Sequence, residues 1–194
     1  MLRTAFATTC APASAFSLVS AEAVEAEPAF LATSWTVAFI SFMAVEVITA
    51  HWDGYSLGPN NFRIFHDKTT DRMVFLPQGL DQTFQRKEMP AQPDMNGLAA
   101  RAVLEVPEFR ARFRAREVEL LTNAFQTELL VKRLREVAAR VRREIGVEEP
   151  SSEDEYLKRA ASYRRRIQQR MAALRRELKL ETTETIAARK ADSL

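Results

Sequence analysis

The feature that most constrains the fold is a break in hydrophobic period at residues 51–84. On either side of it, apolar residues recur at three- and four-residue steps, as they do in helices. Inside it the chain turns and alternates. Gly54 and Gly58-Pro59-Asn60 mark a loop, because glycine and proline punctuate regular structure. Asn61-Phe62-Arg63-Ile64-Phe65-His66 follows with Phe62 and Ile64 on one face, Asp67-Lys68-Thr69-Thr70-Asp71 is a polar turn, and Met73-Val74-Phe75-Leu76 is a second alternating run. This pattern predicts a β-hairpin. Pro77 closes it, and Gly79-Leu80-Asp81 lies in the loop beyond. The fold class is therefore α+β, mostly helical, with one small hairpin.

The flanks divide the rest. Residues 1–34 are small, alanine-rich and without period, and read as a poorly ordered leader or a start read into a longer gene. Residues 35–50 carry apolar side chains on most sides, so a buried helix is expected there. Together with the hairpin they make a first part, 35–88. A proline-containing linker, 89–93, opens the second part, 89–181, which is helical: a short helix over 96–104, a long one over 108–145 with a break near Thr122-Asn123, and a last helix after Gly146 and Pro150. Gly146 and Pro150 are expected to stop the second helix, and Ser151 or Ser152 to cap the third. Ala160, Tyr163, Ile167, Met171, Leu174 and Leu178 form the apolar stripe of that helix. Too short for a long coiled coil, it is expected to pack back on its own domain. Residues 182–194 read as a frayed tail.

Composition removes several classes. A net charge of +2 lacks the strong basic excess of a dedicated nucleic-acid binder, so no DNA or RNA partner is expected. Cys10 is the only cysteine, which excludes an intramolecular disulfide and a multi-cysteine metal site. No apolar run approaches ~18 residues, so no transmembrane segment is expected. The first residues loosely imitate a secretory signal, but Thr4, Thr8, Thr9, Ser14 and Ser17 dilute its apolar stretch, and localisation is left open. Arginines crowd the later helices. The basic residues of the preceding helices, Arg112 to Arg143, are read as a solvated face. Arg164-Arg165-Arg166 with Arg170, Arg175 and Arg176 makes the densest basic patch, a candidate contact for phosphorylated substrate, an anionic membrane surface or nucleic acid.

The chemistry concentrates in residues 51–84. Asp53 lies just past the buried helix and Asp81 just past the hairpin, with Asn60 and Asn61 between them. A hairpin folds its ends together, so Asp81 returns toward Asn61 and Asp53. Two carboxylates and a carboxamide form an all-oxygen set suited to Mg²⁺ and substrate phosphates, and a carboxylate left off the metal can orient or deprotonate a hydroxyl. The competing reading makes Asp53 an Asx turn and Asn60-Asn61 ordinary turn chemistry. His51, Asp53 and His66 also supply the residue types of a two-histidine, one-carboxylate iron site. His66 falls beside a polar turn, so that reading is set aside and His51 is expected to bond loop backbone.

Three blocks of this sequence resemble the spore coat protein H (CotH) kinase family, and its large planctomycete-type bacterial branch above all: His51-Trp52-Asp53-Gly54-Tyr55, Asn60-Asn61-Phe62-Arg63-Ile64, and Phe75-Leu76-Pro77-Gln78-Gly79-Leu80-Asp81-Gln82-Thr83-Phe84. Flanking matches extend the resemblance over about residues 35–180. It implies an atypical protein-kinase-like C-lobe ending in a helical bundle, which uses ATP and Mg²⁺ to phosphorylate hydroxyls of a protein substrate. By position, it implies that Asp53 orients the acceptor hydroxyl, that Asn60 or Asn61 helps hold metal, and that Asp81 is a metal ligand. Many family members carry Pro-Trp-Asp-x-Asp where this chain has Pro77-Gln78-Gly79-Leu80-Asp81, so one carboxylate of that motif is replaced by Gly79. The residues before Trp35 contain no lysine. The expectation is accordingly a kinase fragment lacking the ATP-clamping N-lobe, whose activity alone is open. The alternative is a non-catalytic interaction module acting through its arginine-rich helices. Oligomeric state is left open.

Overall fold

The computed structural model describes residues 34–148 and 153–180. The expected leader, Cys10, the proposed caps Ser151 and Ser152, and the tail 182–194 lie outside the described residues, apart from Ser34. Helix α1 (Ser34–Ile48) leads into a loop and then strands β1 (Phe62–Asp67) and β2 (Arg72–Pro77). A short 3-10 turn, Leu80–Gln82, precedes α2 (Leu98–Glu105), α3 (Pro107–Asn123), α4 (Thr127–Glu148) and α5 (Glu153–Glu177). The α+β, mostly helical class is what forms.

From Phe39 onward α1 is enclosed, as its all-round apolar character requires, with Met43, Ala44, Val47 and Ile48 fully buried. Only its first turns, at Val37 and Ala38, are open. Two clusters meet on this helix. One joins Phe39, Met43 and Val47 to Tyr55, Met95, Val103 and Phe113. The other joins Ile48 to Phe84, Leu121, Ile167, Met171 and Leu174. The apolar stripe of α5 thus packs on its own domain.

The hairpin is antiparallel, pairing Phe62 with Pro77, Ile64 with Phe75 and Asp67 with Arg72. Phe75 sits 4.7 Å from the Phe39 ring and 4.8 Å from Tyr55, and Phe62 lies 4.7 Å from Tyr55. These aromatic contacts anchor a two-stranded unit that would be marginal alone. At the turn, Asp67 accepts from the Thr69 hydroxyl, from the Thr70 hydroxyl at 2.6 Å and from the Thr69 amide at 3.0 Å. The Thr69 and Thr70 hydroxyls, with the Thr69 amide, hold the Asp67 carboxyl down at about 2.

The break expected near Thr122-Asn123 is present, with α3 ending at Asn123 and α4 beginning at Thr127. Two expectations need correction. Gly146 does not stop the second helix, because α4 runs through it to Glu148. One internal glycine costs only about 1 kcal/mol relative to alanine, too little to end a helix whose neighbours continue it. The basic patch loses one member to the interior, since Arg170 is wholly buried, and half-buried Arg175 donates to the Leu121 carbonyl at 2.7 Å. Along α4, Leu130 and Leu134 pack inward, while Val137 and Val141 are exposed.

Candidate functional site

The site begins with a carboxylate in an apolar helix. Glu46, 1% exposed, points from the last turn of α1 into the loop that follows. A buried carboxylate must be hydrogen-bonded. Its two oxygens accept the Tyr55 amide at 2.9 Å and the Ser56 amide at 2.8 Å, so the loop is wound round Glu46. Gly54 makes this possible. A Cβ there would fall 2.2 Å from Glu46 Oε1 and 2.5 Å from His51 Nδ1. The loop is then fastened to the start of α2, because Asn96 and Gly97 amides donate to the Ser56 carbonyl at 2.9 and 3.1 Å and Ala99 donates to the Tyr55 hydroxyl at 3.0 Å. Gly54→Ala is expected to displace the Glu46 carboxylate and lower stability by about 2–3 kcal/mol. Urea denaturation checks this, and an unchanged midpoint contradicts it.

Asp53 projects from this wound loop. Asn60 Nδ2 donates to its Oδ1 at 3.1 Å and Asn61 Nδ2 to its Oδ2. The Asx turn that competed with the functional reading is absent at Asp53; it forms at Asp67. Both asparagines therefore spend their amide nitrogens on Asp53, which leaves the carboxamide oxygens as the atoms for a cation. The hairpin returns as expected: the Gln78 amide donates to the Asn61 carbonyl at 2.8 Å, and Gly79 lies against the Asn61 carboxamide.

Gly79 explains the missing carboxylate. Its φ is +62°, and a Cβ would sit 2.8 Å from Asn61 Cγ. A left-handed backbone pressed on Asn61 admits no aspartate without moving that side chain. Asp81 follows in the 3-10 turn and is exposed. Among the described residues it makes no hydrogen bond or ion pair. The structure thus joins Asp53, Asn60 and Asn61 directly, and Asp81 follows two residues after the Gly79 backbone that lies against Asn61. Behind Asp81, the Thr83 hydroxyl lies 2.7 Å from the Leu80 carbonyl and 2.7 Å from the Tyr163 hydroxyl of α5, and the Phe84 amide donates to the Thr49 carbonyl at 2.6 Å.

The histidines do not meet at a metal. His66 Nε2 pairs with Asp71 Oδ1 at 2.7 Å at the exposed end of the hairpin. His51 is buried, and its ring bonds no backbone, contrary to expectation. Neither ring nitrogen has a hydrogen-bond partner, although Nδ1 lies 3.4 Å from Glu46 Oε1. That pair is in electrostatic range without hydrogen-bond geometry. Among the described residues no cluster of three His, Cys, Asp or Glu side chains forms a metal site, so any cation here draws on asparagine and phosphate oxygens as well. No described helix is long and apolar enough to cross a membrane.

Sequence reasoning missed Glu46, whose signal was a lone carboxylate inside an apolar run. It also missed Arg170, which is in phase with Ile167, Met171 and Leu174. Arg170 Nη2 donates to the Val47 carbonyl at 2.7 Å, Nε to Ile48 at 3.3 Å, and Nη1 to the carbonyls of Lys87 and Met89. It ties the end of α1 to the segment that leaves Asp81.

A family model described as CotH kinase protein matches residues 36–182. Among curated proteins, Invasin CotH2 of Rhizopus delemar is 28% identical over 111 residues, which cover 50% of this chain and 19% of that protein. Invasin CotH3 of the same organism is 43% identical over 47 residues, covering 24% of this chain and 8% of the relative. The chain spans a small part of the length of either relative.

Proposed function

This chain belongs to the CotH kinase protein family, and from that premise we propose that residues 51–84 form the acceptor and metal side of an ATP-dependent phosphotransfer site acting on protein hydroxyls. The observation that carries the reading is the fixed Asp53 carboxylate. Phosphoryl transfer asks little covalent chemistry of the protein, so catalysis is positioning and charge stabilisation. Asp53 stands on a loop wound round Glu46 and is gripped through both oxygens by Asn60 and Asn61. A carboxylate held so firmly is suited to orienting an acceptor hydroxyl and taking its proton. Mg²⁺, when bound, would supply positive charge that offsets the negative charge of the phosphates. The residues available to it are Asp81, exposed and unpaired, with the carboxamide oxygens of Asn60 and Asn61. This hard, all-oxygen set fits Mg²⁺, which keeps several waters and binds through one or two carboxylates plus phosphates.

The reading is tested by transfer of labelled γ-phosphate to a serine-rich protein acceptor. Asp53→Asn is expected to lower transfer at least ~100-fold, the usual scale for a lost catalytic base, while leaving nucleotide binding in place. Transfer by Asp53→Asn at the wild-type rate would overturn it.

A further inference from the structure

Past Asp81 the chain comes back along the loop that carries Asp53. The bond from the Phe84 amide to Thr49 and the edge-on contact of Phe84 with the Tyr163 ring at 5.7 Å fix this return. It delivers the Arg86 guanidinium to 4.2 Å above the ring of Trp52, the residue next to Asp53. Arg86 is exposed and Trp52 half-buried. Neighbouring Lys87 takes Glu88 at 3.7 Å, but among the described residues Arg86 has no carboxylate partner.

An arginine stacked on an aromatic face commits its π surface and leaves its in-plane N–H fork directed outward. The ring also restricts the side chain in advance, so less freedom is lost when the fork pairs with an anion. We infer that Arg86, stacked on Trp52, is a specificity-determining residue that recognises an anionic side chain flanking the acceptor hydroxyl of the protein substrate. This inference rests on the reading that Asp53 faces the acceptor. The hydroxyl must then come within hydrogen-bond reach of Asp53. An extended substrate advances ~3.3–3.6 Å per residue, and Trp52 adjoins Asp53, so the recognised anion lies within about three residues of the acceptor. The chemistry fits an aspartate or glutamate carboxylate, or a phosphoserine made in an earlier turnover. Both offer oxygens in the geometry that a guanidinium fork matches.

The test uses the full chain and fluorescein-labelled serine peptides that carry alanine, aspartate or phosphoserine at each of the three positions on either side of the acceptor. Affinity is read by fluorescence anisotropy without nucleotide, for the wild type and for Arg86→Gln. Aspartate or phosphoserine at one position is expected to tighten binding about fivefold over alanine. The gain should shrink as salt rises and vanish in Arg86→Gln. Tighter binding by the phosphoserine peptide alone identifies the anion as phosphate. Equal affinity for all the peptides, no measurable binding of any, or a charge preference that survives in Arg86→Gln overturns the inference. Mg²⁺·ATP binding measured in parallel separates this from the reading beneath it. Its absence alongside an Arg86-dependent charge preference refutes phosphotransfer only, and its presence without that preference refutes the Arg86 assignment only.

Discussion

Arg170→Met is expected to lower the unfolding free energy by about 3–5 kcal/mol, the range for removing one partner from a buried charged network. The guanidinium has no exposure, and its donors serve the carbonyls of Val47, Ile48, Lys87 and Met89. The first two lie in the last turn of α1, where Val47 also accepts the Ala50 amide at 3.0 Å and a cation complements the helix dipole. Methionine fills similar volume but supplies none of these donors and leaves the buried Ile48 carbonyl without its guanidinium partner, so the loss reflects hydrogen bonding more than packing. Burial lowers the Arg170 pKa to about 10, against the opposing pull of Glu177, Glu117 and Glu88, so the side chain is charged at neutral pH. Urea denaturation of the two proteins checks the figure, and a loss below about 1 kcal/mol would contradict it. Because the same four carbonyls belong to the stem of the Asp53 loop and the exit from Asp81, the variant should loosen both sides of the site together.

The second large effect depends on pH. Glu117 of α3 is fully buried, and neither carboxylate oxygen has a hydrogen-bond partner. Burial pushes its pKa up from 4.5 to about 8, opposed by Arg170 and reinforced by Glu177, with Arg114 lowering it again. The unfolded chain therefore gives up this proton near 4.5 and the folded chain keeps it to about 8. Across that window unfolding releases a proton, so stability falls as pH rises and levels off above about 8. The slope is at most about 1.4 kcal/mol per unit, which sums to on the order of 5 kcal/mol. Glu117→Gln carries no such proton and imitates the neutral form. It should match the wild type within ~1 kcal/mol near the lower end of the window and exceed it by several near pH 8. Parallel stability–pH curves for the two proteins would contradict this account.

How much of this was legible in the sequence varies with the physics involved. The hairpin could be read because Phe62, Ile64 and Phe75 alternate between polar turns, and Phe62 and Phe75 do pack against Tyr55. The buried helix could be read because its apolar residues surround it. The return of the chain at Gln78 to Asn61 could be read because a hairpin closes its own ends. What was hidden depends on partners distant in sequence. Arg170 looks like surface charge when only its own helix is considered; its acceptors are carbonyls some eighty and more residues away. Glu46 reads as a blemish in an apolar run until the Tyr55 and Ser56 amides are placed on it. Gly79 reads as a lost carboxylate until its left-handed backbone is found pressed on Asn61. In the first two cases a buried charge was answered by backbone, in the third a backbone conformation decided the residue, and backbone has no sequence signature.

The central claim is that the two loops of residues 51–84 together hold a phosphate-bound cation. Mn²⁺, which prefers the same oxygen ligands, reports this directly through the loss of its free electron paramagnetic resonance signal on binding in the presence of ATP. The account predicts ATP-dependent Mn²⁺ binding by the wild-type chain, weakened at least ~10-fold in Asp81→Asn, the scale on which a metal site responds to loss of a supporting group. Arg86→Gln should bind as the wild type does. Equal Mn²⁺ affinity in the wild type and Asp81→Asn, or no ATP-dependent binding in either, would contradict it.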